Sequence, residues 1–188
     1  MTRIISGRYG GLPLGNPKHA IRPTTAKVRS YIFNVLGSLE DCRVLDLFAG
    51  SGALGIEALS RYAEHAIFVD KDPRSIKLIR ENLRHSRIPE EQYTLFCADS
   101  LSYLQRCETH FDIIFADPPY AHVLDGNFFS ACRAHLKSGG ILVLEYGKRE
   151  IPDSRGWSAA REKRMGDTCI NMYNVENPSA EEREFEKK

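Results

Sequence analysis

At 188 residues and 21.3 kDa, with 42% hydrophobic and 27% charged residues, the chain can bury one sizeable core and is too short for two large domains. This composition excludes wholesale disorder, and no apolar run approaches the ~20 residues of a membrane-spanning helix. The net charge of +1 gives no global preference for a charged partner, and Cys42, Cys97, Cys107, Cys132 and Cys169, never spaced as CxxC, read as reduced thiols with no disulfide or zinc role.

The first 39 residues break the charge balance. They carry Arg3, Arg8, Lys18, Arg22, Lys27 and Arg29 and no Asp or Glu, a bias that favours a polyanion and that a solvated surface arm would also show. Within this arm "TRIISGRYGGLPL" alternates around glycines like a small hairpin. "TTAKVRSYIFNVLGSL" then places Val28, Tyr31, Ile32, Val35, Leu36 and Leu39 at helical spacing behind Thr24 or Thr25 as a cap. The opening residues contain no apolar signal core, so a cytoplasmic protein is expected.

From residue 43 short apolar runs alternate with helical patterns. The predicted strands are "RVLDLF" (43–48), "HAIFVD" (65–70), "YTLFC" (93–97), "FDIIFA" (111–116) and "GILVLEY" (140–146). Helices are predicted over 53–62, 73–85, 100–106 and 126–137, the second opened by Asp72 as N-cap and Pro73 at the first helical position. This order predicts an α/β fold, a doubly wound and mostly parallel sheet. "WSAAREKRM" and "CINMYNV", joined through Gly166 and Asp167, add an antiparallel pair at its edge. The expected division is a basic hairpin-helix extension (1–40), the α/β domain (41–177) and a charged, frayed tail (178–188).

The first strand runs into "DLFAGSGALGIE", where Gly50, Gly52 and Gly55 have the spacing of a nucleotide-binding turn ahead of a helix. Asp70 ends the second strand, placed to accept hydrogen bonds from ribose hydroxyls. A dinucleotide dehydrogenase shares this pattern. Asp46 argues against it, because a carboxylate beside the glycines would repel a pyrophosphate and welcome a ligand bearing an amino group and a sulfonium. S-adenosylmethionine is such a ligand. Its expected contacts are Asp46 and the turn residues Phe48, Ala49, Gly50, Ser51, Gly52 and Gly55 near the methionine end. Asp70 and Lys71 would hold the ribose, Asp99 and Ser100 the adenine, and Asp117 would complete the set. Asp99 also reads as the N-cap of the helix that starts at Ser100.

The fourth strand ends in "DPPY". Pro118 and Pro119 lack N–H donors and fix φ, so the ladder must stop and the next residues leave on a stiff backbone. Chemistry that fits is methylation of an exocyclic amine, a poor nucleophile because its lone pair is delocalised into the ring. Asp117 and the carbonyl of Pro118 would accept the amino protons, and Tyr120 would stack on the extruded base. Arg3, Arg8, Arg22 and Arg29 are the expected phosphate contacts.

"DLFAGSGALGIEALSR", "VDKD", "DPPY", "IRPTTAKVRSYIFNVL" and "MGDTCINMY" together resemble the bacterial RsmD family, guanine-N2 methyltransferases of small-subunit ribosomal RNA. The stretch from Arg22 to Asn34 selects this family, since adenine methyltransferases also carry DPPY; Ser30 stands where the family pattern has an acidic residue. The resemblance implies a class I, Rossmann-like S-adenosylmethionine-dependent methyltransferase acting as a monomer on a guanine of 16S ribosomal RNA, within assembling or assembled small subunits. An N6-adenine methyltransferase and a non-catalytic RNA-binding assembly factor are the competing readings.

Overall fold

The glycine-rich opening folds back on itself in the computed structural model, which describes residues 2–16, 25–118, 125–149, 152–154 and 156–176. Strands β1 (Thr2–Arg3) and β2 (Pro13–Leu14) form a small antiparallel pair. Helix α1 (Ala26–Leu36) follows, capped by Thr25, whose hydroxyl accepts a hydrogen bond from the Val28 N–H at 3.3 Å.

The α/β unit then runs β3 (Arg43–Leu47), α2 (Ala53–Ser60), β4 (His65–Asp70), α3 (Pro73–His85), β5 (Tyr93–Cys97), α4 (Ser100–Leu104), β6 (Phe111–Ala116), α5 (Gly126–Ala134), β7 (Leu136–Gly147), β8 (Arg161–Met165) and β9 (Thr168–Asn174). The strand order is β5-β4-β3-β6-β7-β9-β8, parallel from β5 through β7 and closed by the antiparallel pair. The expected doubly wound, Rossmann-like sheet is what the chain builds. Successive strand residues point to opposite faces. One face packs Val44, Phe68, Phe115, Val143 and Met172 against α1, α2, α3 and the hairpin residues Ile4 and Leu14. The other packs Leu45, Ile114, Leu142 and Leu144 against α4, α5 and Trp157.

Several element ends differ from the expectation, each for a local reason. Helix α2 stops at Ser60, not 62, because Tyr62 enters the left-handed region with φ 72°. Helix α4 ends at Leu104, two residues early, with the Cys107 N–H on the Leu104 carbonyl. Helix α5 ends at Ala134 and β7 begins at Leu136, where 137 and 140 were expected, because Leu136 pairs with Phe111 and a register irregularity follows. The His135 ring fixes this corner, its nitrogens 2.8 and 2.9 Å from the Ala131 and Cys107 carbonyls. Strand β8 starts at Arg161 because Trp157 turns into the core and donates to the Asn174 carbonyl at 3.0 Å.

The hairpin is riveted to α2. Glu57, buried in that helix, accepts the N–H groups of Ile5 (2.7 Å) and Ser6 (3.1 Å) and the Arg61 Nε (2.8 Å). The Ser60 carbonyl and hydroxyl accept the N–H groups of Arg8 and Tyr9.

Candidate active site at the carboxyl edge of the sheet

Strand order reverses between β3 and β6, and in open α/β sheets a crevice opens outside the strand ends at such a point. The glycine turn and the Asp117–Pro118 step both leave the sheet there. Phe48, Gly50 and Gly52 take φ values of 58°, 55° and 75°, so every second residue of the turn is left-handed. Phe48 holds this conformation with its ring packed 6.0 Å from that of Phe128. Two glycines serve different ends. A Cβ on Gly55 would lie 2.3 Å from the Phe68 ring, so this glycine lets α2 press on the sheet. Among the described residues, a Cβ on Gly50 would meet nothing closer than the Phe48 carbonyl at 3.9 Å, so these leave its outer side open.

Polar side chains fix the turn from behind. Asp70 accepts the Gly50 N–H and the Asp72 N–H, each at 2.8 Å. Asp46 accepts the Gly55 N–H at 2.9 Å. Asn82 of α3 donates to the Ser51 carbonyl at 2.9 Å, and its oxygen accepts the Gly15 N–H at 2.8 Å, joining the turn to the chain beyond β2.

Asp46 is 2% exposed, and burial pushes its carboxyl well above the usual carboxylate range. The Gly55 N–H opposes this, while the charges of Asp117 and Asp70 add to it. Three carboxylates therefore converge where β3, β4 and β6 end. This suits a ligand carrying positive charge and hydroxyls and disfavours a pyrophosphate.

Asp117 is half-buried and Pro118 buried at the end of β6. Pro119 and Tyr120 lie outside the described residues. Asp99 caps α4 by accepting the Ser102 N–H at 3.0 Å; it is exposed, Ser100 beside it is buried, and Lys71 is exposed at the end of β4.

The expected phosphate contacts separate. Arg3 and Arg8 are exposed, but Arg8 sits by the last turn of α2, its guanidinium 5.2 Å from the Tyr62 ring centroid. The glycine turn is at the other end of that helix, about 12 Å away for eight residues. Arg22 lies outside the described residues. Arg29 corrects the expectation: it is 1% exposed and donates to the Arg3 carbonyl at 2.7 Å, so it does not face RNA. Burial pulls its pKa down, and the charges of Glu57 and Glu145 pull it back up. Glu57, Glu145 and Asn82 were not anticipated. Glu57 had left a signal, a lone acid within the apolar "ALGIEALS".

A family model described as Conserved hypothetical protein 95 matches residues 2–174. The chain is similar to a putative rRNA methyltransferase, YlbH, of Bacillus subtilis, with 37% identity over 91% of this chain and 97% of that protein. It is similar to ribosomal RNA small subunit methyltransferase D of Escherichia coli, with 33% identity over 93% and 90%. A solved structure, the putative methyltransferase yhhF from Escherichia coli, superposes with a TM-score of 0.81 at 32% identity and covers 94% of this chain and 98% of that one.

Proposed function

The chain belongs to the RsmD family, and on that premise we propose that it transfers a methyl group from S-adenosylmethionine to the exocyclic N2 amine of a guanine in 16S ribosomal RNA. The observation that carries this reading is adjacency: β3, which bears Asp46 and runs into the glycine turn, pairs in parallel with β4, which ends in Asp70, and with β6, which runs into Asp117. Catalytic strand end and glycine turn thus serve one site. The donor set fits the cofactor, since the acidic rim suits a sulfonium and an ammonium and the open side of Gly50 leaves room for a ligand against the turn.

When bound, the cofactor supplies an electrophilic methyl group. The residues that would hold it are Asp46, the turn Phe48–Gly52 with Gly55, Asp70 with Lys71, and Asp99 with Ser100. Asp117 and the Pro118 carbonyl accept the two amino hydrogens of the target base, draw its nitrogen toward tetrahedral geometry and aim the lone pair. Pro119 keeps that acceptor pair stiff, and Tyr120 stacks on the base once it is extruded. Arg3, Arg8 and Arg22 add phosphate contacts away from the reacting atoms. The substrate is small-subunit RNA in the cytoplasm, on assembling or assembled subunits.

Nucleoside mass spectrometry of 16S ribosomal RNA from cells with and without the protein tests the reading. One N2-methylguanosine should disappear with the gene. Loss of an N6-methyladenosine would move the target to adenine, and an unchanged profile would leave only RNA binding.

A further inference from the structure

We propose that α1 and the edge strand β8 form a docking face for the RNA backbone, with Lys27, Arg161 and Lys163 set against phosphates. This rests on the RNA methyltransferase reading above and locates the surface on which its substrate lies.

Strand β8 is the last strand of the sheet, and its residues Arg161, Glu162, Lys163 and Arg164 are all exposed. In its register with β9, Arg161 faces Met172 and Lys163 faces Ile170. Directly opposed residues share a face, so both cations stand on the side of the sheet whose core holds Met172, Ile170 and α1. The Lys163 ammonium reaches 6.0 Å from the Tyr31 ring centroid on α1. Lys27 lies four residues before Tyr31, on the same helix face one turn closer to the N-terminus, and is exposed. Helix α1 has no acidic residue, and Glu162 points to the opposite face of β8 by strand alternation.

Charge pairing sets these cations apart from several others. Among the described residues, ion pairs engage Arg43, Arg61, Arg74, Lys137 and Lys148, whereas none engages Lys27, Arg161 or Lys163. A second basic stripe, Lys77, Arg80 and Arg84 on α3, is interrupted by Glu81 and packs over β4 and β5, the cofactor half. Helix α1 instead packs on β6, Phe33 lying 5.6 Å from Phe115 on the strand that delivers Asp117. An RNA on the α1–β8 face reaches the catalytic strand end without crossing the cofactor crevice.

The test compares two triple variants, Lys27→Ala/Arg161→Ala/Lys163→Ala and Lys77→Ala/Arg80→Ala/Arg84→Ala, binding unmodified 16S ribosomal RNA transcribed in vitro across a salt series. Melting temperature and S-adenosylhomocysteine affinity report on the fold. The first variant should keep both, lose about 10-fold or more in RNA affinity and flatten the slope of log K against log salt by roughly 2 to 3, near one unit per lost phosphate contact. The second should keep the parental slope. An unchanged slope in the first variant, or the larger loss in the second, overturns the proposal. A loss seen with assembled subunits but not with naked RNA would assign the face to a ribosomal protein and also overturn it. If the parental protein bound neither the naked RNA nor the small subunit, the RNA methyltransferase reading itself would fall.

Discussion

The two halves of the carboxyl edge are built on opposite plans. On the β3–β4 side three polar side chains behind the glycine turn are already engaged inside the protein: Asp70 by Gly50 and Asp72, Asp46 by Gly55, Asn82 by Gly15 and Ser51. On the β6–β8 side the face shared by α1 and the edge strand presents the cations Lys27, Arg161 and Lys163, and the acceptor Asp117 stands at the end of a ladder cut by proline. The first plan suits a small ligand of constant shape, because a turn fixed beforehand leaves little ordering to be done on binding. The second suits a large, charged substrate held by many weak contacts and selected at one base.

Substitutions on the substrate side should test that contrast hardest. Arg29→Ala removes a buried cation that the charges of Glu57 and Glu145 stabilise, together with its bond to the Arg3 carbonyl, and should cost about 3–5 kcal/mol in urea unfolding, the scale for leaving buried charge uncompensated. Arg8→Ala, on the surface, should stay within about 0.5 kcal/mol. Equal effects would return Arg29 to the surface. Asp117→Ala comes next: methyl transfer should fall by about 10²-fold or more, roughly 2.7 kcal/mol, while calorimetry finds S-adenosylhomocysteine affinity little changed. Parental turnover in that variant would reduce the DPPY stretch to a strand-ending turn.

The cofactor side should answer in stability and ligand affinity. Gly55→Ala forces a methyl group into the Phe68 ring and should destabilise by about 1–3 kcal/mol. A neutral result would mean that α2 can lift from the sheet. The smallest effect is expected from Asp46→Asn, whose amide oxygen can still accept the Gly55 N–H. Because burial raises the folded-state pKa of Asp46 above its ordinary value of 3.8, the folded protein holds a proton that the unfolded chain releases between those two values. Stability therefore falls as pH rises through that window. The amide variant should show a flatter pH profile and equal or greater stability at neutral pH, with weaker cofactor binding. A steeper decline with pH than in the parent would refute the assignment.

Sequence made the cofactor half legible because its signals are local. Gly50, Gly52 and Gly55 sit within six residues and directly follow the strand that bears Asp46, and an amphipathic helix announces its own cap at Asp72. Arg29 shows where such reading stops. Its neighbours in sequence marked it as one more charge of a basic arm, whereas its burial depends on Glu57 and Glu145, which come from elements far along the chain. Composition counts charges and does not say which are inside. The β8 cations were equally hard to place, since the face they occupy follows from pairing with β9. The ends of α2 and α5 fall short of the sequence pattern because Tyr62 and Leu136 obey backbone geometry and ladder pairing, not periodicity.

The rivets between the hairpin and α2 also set a timetable. Ile5, Ser6 and Tyr9 find their partners on residues 51 or 52 positions later. At synthesis rates of about 5–20 residues per second, the arm waits on the order of 3–10 seconds for Glu57 and Ser60 merely to be made. During that interval Ile4 and Leu14, both destined for the core, have nothing to cover them. An arm rich in like charge and free of acids repels another copy only within a Debye length of about 8 Å, so its charge opposes pairing of those uncovered residues between copies that meet.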